Sequence, residues 1–152
     1  MVPDNNEERM LKHLDYIQDI ISRMANNSFS YKGWNIALIT GLLGISIVQQ
    51  NQQISVYLIG LALVPNLLFW ALDAYYLHLE KKFKHLYEAV RKNLVTQNYE
   101  NGVECLCMDV SKVKHLVPCY LSVVFSLSVW PFYLINAFTI GVVILLKSRG
   151  II

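Results

Sequence analysis

Six cationic or titratable side chains, Lys81, Lys82, Lys84, His85, Arg91 and Lys92, crowd residues 81–92, with only Glu80 and Glu88 of opposite sign beside them. Tyr75, Tyr76, Tyr87 and Tyr99 bring phenol rings to the same stretch. Cations neutralise phosphates and flat rings stack on bases, so this pattern suits an anionic nucleotide or a single strand. It equally suits a solvated face or a contact with anionic lipid. Lys112 and Lys114 form a second, smaller cationic group, which makes the candidate ligand-binding residues Lys82, Lys84, Tyr87, Arg91, Lys92, Lys112 and Lys114. Asp73 closes a long uncharged run, where a carboxylate is costly unless it faces water or a partner. It reads either as a pore or gate residue or as a structural pair with a nearby Trp, Tyr or Lys. Cys105, Cys107 and Cys119 lack the further ligands of a zinc site and read as reduced thiols. No nucleophile–base pair, glycine-rich phosphate loop or metal motif is present, so neither enzyme activity nor a cofactor is expected.

Those residues have to be positioned by unusual elements. Of 152 residues, 55% are hydrophobic and only 16% charged, against roughly a quarter charged in soluble domains. Residues 33–72 and 116–146 contain no Asp, Glu, Lys, Arg or His. A soluble core of this size would alternate charged and apolar faces, so two such blocks point to an integral membrane protein and exclude a soluble enzyme domain. The net charge of +2 excludes a generally basic nucleic-acid coat. The first 32 residues lack the basic start and apolar run of a cleaved signal peptide, so Met1 onward is expected to remain.

A hydrocarbon core of about 30 Å needs about 20 helical residues. The first uncharged block is long enough for a hairpin, broken at Gln49, Gln50, Asn51, Gln52 and Gln53 into spans near Trp34–Val48 and Ile54–Leu77. Arg23 and Lys32 before it, and Lys81, Lys82, Lys84, Arg91 and Lys92 after it, place both flanks in the cytoplasm by the positive-inside rule. Leu116–Leu146 would measure about 46 Å as one helix. Ser122, Ser126, Ser128 and Pro131 therefore divide it into an interfacial or tilted entry over 117–129 and a span near Trp130–Leu146. The C-terminus then lies outside, or returns to the cytoplasm if the segment is re-entrant.

Met10, Leu14, Ile17, Ile21 and Met24 recur at steps of four, three, four and three, an a/d seam on an amphipathic helix. The seam packs either on the protein's own second helix or, as an oligomer contact, on other copies. Leu72, Tyr76, Leu79, Phe83, Leu86, Tyr87 and Val90 extend the second span as one long helix into the cytoplasm. Ala37, Gly41 and Gly44 form a small-residue stripe on the first span. Asn66, beside Pro65, marks a kink or supplies an amide to the carbonyl that the proline frees. Val103–Val110 reads as one short strand in a loop. The fold class expected is an all-α membrane protein of three transmembrane helices, with an N-terminal amphipathic cytoplasmic helix and a long second helix projecting into the cytoplasm. Its parts are a cytoplasmic helix over 1–32, a membrane hairpin over 33–79, a cytoplasmic extension and loop over 80–115, and an entry segment with the third span over 116–152.

The stretches IISRMANNSFSYKGW, LLFWALDAYYLHLEKKFKHLYEAVR and CMDV, roughly residues 17–34, 67–91 and 106–110, resemble a widespread family of small bacterial three-span membrane proteins. Some of these look like membrane effectors of antiphage operons such as the Hailong system, in which a nucleotidyltransferase makes short deoxyadenylate strands that gate a channel. The resemblance implies a homo-oligomer, a tetramer, in the bacterial inner membrane with a hydrophobic tunnel, opened by a short nucleotide or single-stranded DNA signal. It assigns no individual ligand residue. A passive membrane anchor that recruits a cytosolic partner is the alternative the residues leave open.

Overall fold

The structure, a computed structural model, describes residues 5–96, 108–110 and 117–150. Its elements are α1 (Asn5–Val48), α2 (Gln52–Leu61), α3 (Leu63–Thr96), α4 (Tyr120–Val124) and α5 (Trp130–Ser148), with no strand among the described residues. Three stretches are long and apolar enough to cross a membrane: Glu7–Val48, Gln52–Asn93 and Trp130–Ser148. Of the strand expected over 103–110, residues 103–107 lie outside the described residues, as do Tyr99, Lys112 and Lys114. Residues 108–110 form no strand.

The N-terminal segment expected to be amphipathic and the first apolar stretch are one 44-residue helix. No proline interrupts it after Pro3, and Gly33 is the first glycine, so nothing between the two breaks the hydrogen-bond ladder. At 1.5 Å per residue α1 measures about 66 Å, twice a hydrocarbon core. The polar break falls where the glutamine and asparagine run places it. Asn51 caps α2, its side chain accepting from the Gln53 and Ile54 backbone N–H groups at 3.1 and 3.3 Å. Between α2 and α3 only Ala62 leaves the helix, three residues before Pro65. Pro65 thus sits in the first turn of α3, where its missing N–H costs nothing. The Asn66 amide does not serve the proline's freed carbonyl; it bonds Asn35 and the Tyr133 carbonyl.

The final block is broken as its serines and proline indicate. After the short α4, the Ser126 carbonyl accepts from Val129 and Trp130 in a tight turn, and Pro131 lies in the first turn of α5. With 19 residues, α5 is about 28 Å long and matches one crossing.

The chain divides into two compact units. The first unit comprises residues 1–27 and 76–119, and its core joins Met10, Leu14 and Ile17 of α1 to Leu86 and Val90 of α3. The a/d seam is therefore closed, in large part, by the chain's own second long helix. The second unit comprises residues 28–75 and 120–152, with an apolar layer of Ile39, Ile59, Ala62 and Ile140. Its outward side chains, among them Ile36, Leu38, Ile45, Leu67, Leu68 and Ile135, are large and apolar, as lipid requires. In the small-residue stripe, a Cβ built at Gly41 or Gly44 meets nothing within 4 Å among the described residues.

Candidate functional site

Gln18, Ile21 and Ser22 occupy one face of α1 at helical spacing, and Tyr87 comes to them from α3. Together they line an open surface cavity of about 330 Å³ in the first unit. Its character is mixed, with an aliphatic wall, a phenol ring, a carboxamide and a hydroxyl. That combination can hold a flat polar ring by stacking and by hydrogen bonds to its edge.

The cations divide around this cavity. Arg91 lies one turn beyond Tyr87 on the same face, exposed and with no ion pair among the described residues. Lys84 lies three residues before Tyr87 but is engaged by Glu80 at 2.5 Å. Lys82 and Lys92, five positions to either side, are rotated about 140° around the helix from Tyr87 at 100° per residue. The structure thus brings Tyr87 together with Gln18 and Ser22; by helical pitch Arg91 follows Tyr87 on its face, and Lys82 and Lys92 lie off it. At the far end of α1, Glu8 and Lys12 pair at 2.7 Å. The hydrogen bond and charge of each hold the Glu8 pKa below, and the Lys12 pKa above, its ordinary value. Both are exposed, so the pair contributes little.

Asp73 is fully buried in the second unit. Its Oδ2 pairs with Lys32 Nζ at 2.7 Å, and Ser28 Oγ donates to Oδ1. Lys32 also donates to Ser28 at 3.0 Å, so the carboxylate is clamped by two groups one turn apart on α1. Deeper along the same faces, Asn35 Nδ2 donates to Asn66 Oδ1 at 3.0 Å, and Asn66 Nδ2 to the Tyr133 carbonyl at 3.1 Å. One side chain of α3 thereby ties α1 to α5. Trp70 stacks on Tyr133 with centroids 6.4 Å apart and donates to the Val124 carbonyl at 3.1 Å. The Tyr120 hydroxyl donates to the Ala71 carbonyl, so α4 is held to α3 at both ends.

Asn66→Leu removes both amide bonds while keeping the volume. Interhelical hydrogen bonds in membranes average about 0.6 and reach about 1.7 kcal/mol each. The variant is expected to lose about 1–2 kcal/mol, read as a lower midpoint of denaturant unfolding in detergent.

Among the described residues no group of three or more His, Cys, Asp or Glu could hold a metal ion. Cys119 is an exposed free thiol, and Cys105 and Cys107 lie outside the described residues. No known family, curated protein or solved structure matches the chain. The sequence pattern alone pointed to Tyr87, Arg91 and Asp73 but missed Gln18, Ser22, Ser28, Lys32 and Asn35. The last three, with Ile39, repeat at steps of four, three and four along α1. That periodicity was the available signal that polar residues share the buried stripe of a span.

Proposed function

We propose that the protein is a homo-oligomeric membrane channel whose opening is controlled by a nucleotide or short single-stranded oligonucleotide on the Tyr87 face. The observation that carries this reading is the continuity of α1 and α3. Each runs unbroken from the cavity residues (Gln18 and Ser22; Tyr87) to the buried pair (Lys32; Asp73). A ligand at the cavity acts on the same two helices that carry the pair. In this reading the three long helices span a bacterial inner membrane with the Tyr87 face in the cytoplasm. The unpacked stripe of Ala37, Gly41 and Gly44 receives a helix of a second copy, and a tetramer is the assembly implied by the family resemblance. Deoxyadenylate strands made by a companion nucleotidyltransferase are the signal that resemblance implies, and loss of membrane potential during phage infection is the outcome.

In liposomes the oligomer is expected to pass ions only when such a strand is added; a monomer without conductance under any strand refutes the channel. Tyr87→Ala is expected to weaken binding about 10- to 100-fold, since base–aromatic stacking contributes roughly 1–3 kcal/mol. Arg91→Gln is expected to weaken binding and to flatten the log–log salt slope by about 0.7. Lys82→Gln, off that face, should leave both unchanged.

A passive anchor is the second reading, favoured by Leu11 and Tyr16, large residues left exposed on α1 in the first unit. It predicts a stoichiometric cytosolic protein on co-purification and no conductance.

A further inference from the structure

The interior of the second unit is layered along its helices. On α1 the sequence of layers is Ser28 and Lys32, then Asn35, then Ile39, then Ser46. Each layer has counterparts: Asp73 beside Lys32, Asn66 and Tyr133 around Asn35, Ile59, Ala62 and Ile140 around Ile39, and Ser55, whose hydroxyl donates to the Ser46 carbonyl at 2.7 Å. From Ser28 to Ser46 this polar–apolar–polar column measures about 27 Å along α1, close to a full hydrocarbon core of about 30 Å.

The middle polar layer is not saturated. Asn35 Oδ1, Tyr133 Oη and Asn136 Nδ2 are sealed from solvent and make no hydrogen bond, although Asn35 and Tyr133 are among the most buried residues of the chain. The Tyr133 hydroxyl lies beside the Asp73 carboxylate without a closed hydrogen bond. In hydrocarbon each unfilled polar atom costs several kcal/mol, and packing alone would have favoured leucine at these positions. Asn35 Oδ1 is an acceptor, Asn136 Nδ2 a donor and Tyr133 Oη both, the kinds of partner a buried water takes.

We infer that this column is a proton path through each protomer's own three-helix unit, with Asp73 as its proton-binding group and the Ile39–Ile59–Ala62–Ile140 layer as its plug. The inference rests on the membrane-spanning reading and on neither the oligonucleotide nor the assembly. The charge pattern selects a proton over other cations. Lys32 places a fixed positive charge against Asp73 and repels a metal cation, whereas a proton joins the carboxylate covalently and needs no room. Lys32 Nζ is the way in, because its side chain is 24% exposed while that of Asp73 is 0%. In the step proposed, a proton adds to Asp73 Oδ2, forming an O–H bond, and Lys32 swings out to the interface. That proton then passes to a water held by Tyr133 Oη and Asn35 Oδ1, giving hydronium and restoring the carboxylate to Lys32. Beyond lies the apolar layer, which blocks water as a hydrophobic constriction does, and past it the Ser46–Ser55 layer. The groups facing Asp73 are Lys32 and Ser28 from α1 and Tyr133 from α5; the nearest titratable groups on α3 itself are Tyr75, Tyr76 and His78.

The test needs no nucleotide. The full chain is reconstituted in liposomes loaded with a pH-sensitive dye, and a potassium gradient with valinomycin drives protons. Wild type is expected to be tight. Ile59→Asn with Ile140→Ser, which wets the plug, is expected to raise proton flux at least tenfold without raising chloride flux. Adding Asp73→Asn should return flux to the wild-type level. Equal flux with and without Asp73, chloride passing as fast as protons, or no rise in a folded plug variant would each overturn the proposal. A second measurement uses the wild type alone: a hydrophobic carbodiimide reacts with protonated carboxyl groups inside membranes, and an adduct on the Asp73 peptide is expected. Absence of that adduct at every pH overturns the proposal even where the plug variant does not fold. Because both assays omit oligonucleotide, a failure of the gating reading leaves their outcomes intact, and the reverse also holds.

Discussion

Lys32→Met is expected to destabilise the second unit by roughly 3–5 kcal/mol, because it leaves the Asp73 carboxylate buried without its counter-charge. Ser28 still donates to Oδ1, but one hydroxyl does not replace an ammonium in a medium of low dielectric. Asp73→Asn should be milder. The amide oxygen can still accept from Ser28, and Lys32, already partly exposed, can extend its ammonium to the interface. The double variant Lys32→Met with Asp73→Leu removes both charges together and is expected to recover most of the stability, since apolar replacements of buried pairs are often neutral or better. Denaturant unfolding of the four proteins in one detergent gives the comparison. If Lys32→Met unfolds with wild type, water reaches Asp73 and the pair is not the buried latch described above.

The legible and illegible parts of the fold separate by the range of the interaction. Asn51 as a cap, the polar interruption at Gln49–Gln53 and the restart of helix at Trp130 with Pro131 in its first turn are local events, encoded by residues within a few positions. The a/d seam on α1 was equally plain, because a period of 3.5 marks a face. Which surface that face meets is a different matter: Leu86 and Val90 lie about seventy residues further on, and a period carries no address. Lys32 with Asp73, and Asn35 with Asn66 and Tyr133, were hidden for the same reason. Each residue sits on a recognisable helix, yet Asn66 beside Pro65 invites the local reading of a kink, and only the packed unit shows its amide bridging two other helices. Likewise, charge density alone gathered Lys82, Lys84, Arg91 and Lys92 into one cluster. Helical pitch, which the sequence does encode, already separates Arg91 from Lys82 and Lys92; the cavity beside Tyr87 required Gln18 and Ser22 from another helix.

The first unit offers the second large effect, and its variants must be chosen with that packing in view. Ile17 is fully buried among Met10, Leu14, Leu86 and Val90. Ile17→Asp puts a carboxylate there with no partner, at a cost of several kcal/mol, and even Ile17→Ala removes about 2–5 kcal/mol of packing. Backbone amides over residues 10–24 of α1 and 83–90 of α3 are therefore expected to lose hydrogen-exchange protection in Ile17→Asp, while those of the span at 34–48 keep theirs. Loss of an oligomer in this variant would not identify the seam as an assembly surface, because the unit that presents the seam has itself opened. Ile21 and Met24 are different. Both are only half-buried in the single chain; Ile21 packs against the edge of the closed core and lines the Tyr87 cavity, and its exposed part is what a neighbouring copy could reach. Ile21→Gln is polar, uncharged and tolerated at a half-exposed site, so amide protection should remain close to wild type. If crosslinking then shows a smaller assembly, the half-buried end of the seam serves a contact between chains as well as the one inside the chain. If Ile21→Gln assembles like wild type with its protection intact, the seam is internal, and any contact between copies lies elsewhere.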